Sequence, residues 1–106
     1  MIRRAFAMRL KPGGLAGYRA EHDAIWQELV DEIERSGIAQ ITIFENDPQL
    51  VLYSEIRDPE AWDRLWSTEV HGRWGALMNE YMAVDEAGAP EATELREVFH
   101  LETAAR

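Results

Sequence analysis

The run YRAEHDAIW sets a phenol at Tyr18, an imidazole at His22 and an indole at Trp26, four residues apart each time. On one continuous helix that spacing lines the three side chains along a single surface. The imidazole decides what chemistry such a row could do. A histidine titrates at about 6.5 when unperturbed, so it can both take and give a proton at neutral pH. Packing is the competing reading, because aromatics at helical spacing are ordinarily core and a histidine among them is ordinarily a half-buried ring satisfied by a backbone carbonyl. The spacing leaves both open. A second cluster, His71, Arg73, Trp74, Met78 and Tyr81, divides in a similar way: Trp74, Met78 and Tyr81 fit a core stripe, while Arg73 fits an exposed position. The carboxylates Glu21, Asp23, Glu28, Asp31, Glu32 and Glu34 read as the solvated faces of the first helix.

Other chemistries fall away. With no cysteine there is no disulfide framework, thiolate metal site or thiol nucleophile. The histidines at 22, 71 and 100 show no HxxxH or HxH pairing, so no metal is expected. No G-x-S-x-G elbow or Gly-rich phosphate loop occurs. A formal net charge of −9 would repel phosphate backbones and anionic lipid, which argues against nucleic acid and membrane surfaces as partners. The opening MIRRAFAMRLKPGG has its apolar runs broken by Arg9 and Lys11, unlike a signal or spanning segment, and the expected location is cytoplasmic.

The elements that must position these groups follow from periodicity. A chain of 106 residues, 46% apolar, has the size and content of one domain over 1–106. Ile2 to Leu10 alternates as a strand, and Lys11-Pro12-Gly13-Gly14 breaks it. Leu15, Tyr18, Ile25, Trp26, Leu29 and Ile33 form one helical stripe that ends at Ser36-Gly37. Ile38 to Glu45 and Leu50 to Ile56, around Asn46-Asp47-Pro48, predict a hairpin. Asp58-Pro59 predicts a short helix carrying Trp62, Leu65 and Trp66, followed by a helical run over Val70 to Met82. Leu95 to Leu101 alternates as a last strand. Strand, helix, strand, strand, helices, strand is a split β-α-β order, a ferredoxin-like α+β fold with an antiparallel sheet and its helices on one face. The bare face of such a sheet predicts a homodimer.

Taken in order, IRRAFAMRLKPG, YRAEHDAIWQEL, STEVHGRW and ELREVFHL resemble the L-rhamnose mutarotase family from Ile2 to Leu101. The resemblance implies a dimeric α+β barrel that interconverts the α and β anomers of L-rhamnose or a related 6-deoxyhexose without metal or cofactor. It makes His22 the proton donor and has Tyr18 and Trp74 line the sugar site. The chemistry suits this: the ring oxygen gains a proton while the anomeric hydroxyl loses one, and an aromatic face excludes water from the reacting atoms. The expected catalytic residues are His22 and Tyr18, and the expected substrate positions are Tyr18, Trp26, Ile41, Arg73, Trp74 and Gly75. Many family members carry a tyrosine where Ile41 stands, two consecutive tryptophans where Trp74-Gly75 stands, and an N-P-D-N-S-P loop where this chain has VDEAGAP, which implies an altered pocket. The fold also accommodates a cofactor-free monooxygenase or a non-catalytic small-ligand module.

Overall fold

The computed structural model describes residues 1–104. The elements are β1 (Ile2–Arg9), α1 (Leu15–Asp23), α2 (Gln27–Ser36), β2 (Ile38–Asn46), β3 (Gln49–Ile56), α3 (Ala61–Trp66), α4 (Glu69–Met78) and β4 (Ala92–Leu95). All pairings are antiparallel, in the sheet order β2-β3-β1-β4. This is the ferredoxin-like arrangement that the element order predicts.

Directly opposed residues of a ladder share a face. The register Met8↔Leu50, Phe6↔Leu52 and Arg4↔Ser54 on one side of β3, with Ile43↔Leu52 and Ile41↔Ser54 on the other, defines the helix-covered face. The opposite face carries Ala5, Ala7, Phe44, Val51 and Leu95. The core lies between the covered face and the helices, where Leu10, Leu29, Leu50, Ile56 and Leu65 are almost completely buried. Ser54 is a polar member of that layer, satisfied on both sides: its hydroxyl donates to the Arg4 carbonyl at 2.8 Å and accepts from the Trp62 indole at 3.0 Å. Two glycines fix local geometry. Gly37 caps α2 at φ 98°, a left-handed conformation open to glycine at little cost, and Gly17 lies directly under the Tyr81 ring, where a Cβ would collide.

Four sequence expectations are corrected. The single helix over Leu15 to Ser36 is two helices, because the chain leaves helical geometry at Ala24–Trp26 and Trp26 is extended, at φ −67° and ψ 133°. No glycine or proline marks that break, and the compensation is tertiary: the Trp26 ring meets Trp74 edge-on at 5.2 Å. The helix expected at Asp58-Pro59 begins at Ala61, since Asp58 caps a preceding turn by accepting the Glu60 N–H at 3.0 Å. The run expected to reach Met82 stops at Met78, after which Tyr81 and Met82 are drawn to the end of β1 by Lys11 N–H donating to the Tyr81 carbonyl and by a Leu10–Met82 bridge. The last strand lies at Ala92–Leu95 rather than Leu95–Leu101. Alternation shows which side chains would be covered, but a strand needs a backbone partner, and the β1 ladder ends at Ala5↔Leu95. Beyond it Val98, Phe99 and Leu101 are exposed.

Candidate functional site

Between the helices and the covered face of the sheet lies a cavity of about 1020 Å³. α1 contributes Tyr18 and His22, α3 contributes Trp62 and Trp66, α4 contributes His71, Trp74 and Gly75, and the sheet supplies Phe6, Met8, Ile41, Ile43 and Leu52.

His22 reaches its position through its own helix. Its Nδ1 lies 2.8 Å from the carbonyl of Tyr18, one turn earlier. A carbonyl only accepts, so in the neutral ring Nδ1 carries the hydrogen and Nε2 carries the lone pair. The ring is half-buried, tilted on Tyr18 at 4.3 Å between centroids and edge-on to Trp74 at 5.2 Å. This is an imidazole whose tautomer is set locally and whose basic nitrogen belongs to a cavity-lining ring.

Tyr18 is 6% exposed, and burial pushes its phenol up to about 12. It therefore stays protonated at neutral pH and can serve as a hydrogen-bond donor, but not as a base. Trp74 is 7% exposed and is part of the core as well as of the cavity wall.

Of the residues predicted from the sequence, Tyr18, His22, Ile41, Trp74 and Gly75 line the cavity. Trp26 and Arg73 are not among its lining residues. The break after α1 carries Trp26 to the outer side of Trp74, and the Arg73 guanidinium sits over the Trp26 ring at 5.5 Å while donating to Glu28 at 2.9 Å. That stack joins α4 to the start of α2 beside Trp74.

The structure adds Trp62, Trp66 and His71 to the lining, which the sequence did not assign to a site. The signal was present as spacing: Trp62 and Trp66, and His71 and Gly75, are each four apart on a helix. His71 packs on Trp66 at 4.5 Å, and burial holds its imidazole below the ordinary histidine range. The third histidine, His100, lies on the exposed tail, 3.8 Å from Glu102. Among the described residues no three histidines or carboxylates converge as a ligand set, and no helix is long and apolar enough to cross a membrane.

A family model described as L-rhamnose mutarotase matches residues 3–101. An L-rhamnose mutarotase of Tolumonas auensis is 39% identical over 95% of this chain and 99% of its own. The crystal structure of an L-rhamnose mutarotase from Formosa agariphila superposes with a TM-score of 0.84 at 27% identity, over 96% of this chain and all 100% of that one. An antibiotic biosynthesis monooxygenase superposes with a TM-score of 0.62 at 20% identity, over 92% of this chain and 99% of that one, and shares the fold alone.

Proposed function

The chain belongs to the L-rhamnose mutarotase family, and from that premise we propose that it exchanges the α and β anomers of L-rhamnose or a close 6-deoxyhexose by general acid/base catalysis. The observation that carries the reading is the His22 ring: Nδ1 tied to the Tyr18 carbonyl, Nε2 bearing the lone pair, and the ring in the wall of a cavity. In the proposed step Nε2 takes the proton of the anomeric hydroxyl, the O–H electron pair becomes the C1=O bond, and the C1–O5 pair passes to O5. O5 accepts a proton from the imidazolium while the Tyr18 phenol donates a hydrogen bond to the sugar. The open aldehyde rotates about C1–C2 and closes on its other face by the reverse transfers. The Trp74 ring shields the reacting atoms from water.

Acid/base catalysis of this kind contributes about 10²–10⁴-fold, which is ample for a reaction that proceeds unaided in water. Saturation-transfer NMR on L-rhamnose measures it directly. His22→Ala lowers the exchange by that factor, towards the buffer rate. A wild-type rate equal to that of the variant would end the proposal.

We further propose a homodimer formed through the open sheet face, supported by the apolar side chains there and by the exposed Val98, Phe99 and Leu101 beside it. Phe44, 61% exposed on β2, is the lever. Light scattering is expected to give twice the 12.2 kDa chain mass for the wild type and a single chain mass for Phe44→Asp.

A further inference from the structure

A 6-deoxyhexose has about eleven heavy atoms and, with a water's share of about 30 Å³ granted to each, fills at most ~330 Å³. The half-open cavity holds about 1020 Å³, so a single sugar ring does not fill it.

One stretch of the lining is rich in rings. Starting from β2, Ile41 is paired with Ser54, whose hydroxyl accepts from the Trp62 indole at 3.0 Å. Trp62 is followed one turn later on α3 by Trp66, which packs on His71 at 4.5 Å. His71 is followed one turn later on α4 by Gly75. Each of these residues except Ser54 lines the cavity. They form a wall that continues from Trp74, which shares a turn of α4 with His71 and Gly75. It consists of two indoles, an imidazole, an isoleucine and one position with no side chain, with Arg4 and Asp63 also on the lining. A Cβ built on Gly75 meets no atom within 4 Å, so the helix presents bare backbone to the open volume there.

A wall of flat rings beside open space, on a lining that is mostly apolar despite Arg4 and Asp63, suits a flat, apolar ring. Resting on the mutarotase reading of the first subsite, we infer that the cavity takes a reducing 6-deoxysugar bearing an apolar ring substituent, with that substituent held between Trp66, His71 and Gly75. The anomeric hydroxyl must stay free for the exchange, so the substituent is carried on one of the other oxygens.

Titration calorimetry with L-rhamnose and its mono-O-benzyl ethers at C2, C3 and C4 tests the inference. At least one ether is expected to bind the wild type ten-fold or more tightly than L-rhamnose, and Gly75→Trp, which fills the open volume, is expected to abolish that preference. Gly75→Leu is a second variant, expected to reduce the preference several-fold, with a melting scan confirming that each variant is folded. The inference is overturned if no ether outbinds L-rhamnose, or if the preference survives both substitutions. Saturation transfer on the bound ether reads the catalytic proposal separately: tight binding without anomer exchange supports the second subsite and overturns the mutarotase reading.

Discussion

In one stretch of the cavity wall an imidazole is tied to its own helix and flanked by a buried phenol and a buried indole; in another an imidazole packs at a tilt on an indole that is 54% exposed, one turn from a residue with no side chain. Both use histidine and tryptophan, yet they differ in their indoles. Trp74 is a core ring and Trp66 is half open to solvent, while both imidazoles are part-buried and burial lowers the pKa of His71. Composition alone does not make a site; what matters is which polar and aromatic groups still have a free side after packing.

The sharpest way to break the comparison is to remove one indole from each stretch. Trp74→Ala deletes a core ring and is expected to cost about 3–5 kcal/mol of unfolding free energy, read as a lowered urea midpoint. Trp66→Ala, at a position half open to solvent, is expected to stay within about 1 kcal/mol. Equal losses would show that the two stretches are packed alike.

A smaller contrast lies in pH. The Tyr18 phenol titrates at about 12 in the folded chain against an ordinary value of 10.0, so the folded state favours the neutral phenol. That contribution, up to about 2–3 kcal/mol at about 1.4 kcal/mol per unit, is fully present below the ordinary value and is lost as pH rises through the raised one. Burial acts on His71 in the opposite direction, holding its pKa below the ordinary value. Its contribution is present above the ordinary value and is lost as pH falls through the lowered one. Melting temperatures across the pH range should show Tyr18→Phe flattening the alkaline fall and His71→Phe flattening the acid one. A wild-type alkaline limb unchanged in Tyr18→Phe would sharpen the comparison against Tyr18.

Most of the architecture was legible in the sequence, because period-two and three-to-four patterns report directly on which side is covered. β1, β2 and β3 lie within a residue or so of their expected bounds. The failures share a cause. The break at Ala24–Trp26, the early stop of α4 and the displaced β4 all depend on contacts between residues far apart in the chain, such as Trp26 with Trp74 and Lys11 with Tyr81. The cavity divides similarly. Tyr18, His22 and Trp74 were visible as a row and a motif. Trp66 and His71 were not, because their part depends on α3 and α4 meeting. Trp26 came from the row and Arg73 was the odd member of its cluster, and the two pair with each other.

The hydrogen bond from His22 to the Tyr18 carbonyl closes within a single helical turn. The aim of the His22 ring is thus set partly by a local backbone contact, with the edge-on Trp74 as its long-range support. Substitutions elsewhere in the cavity wall can therefore change what it admits while the His22 ring keeps its tautomer.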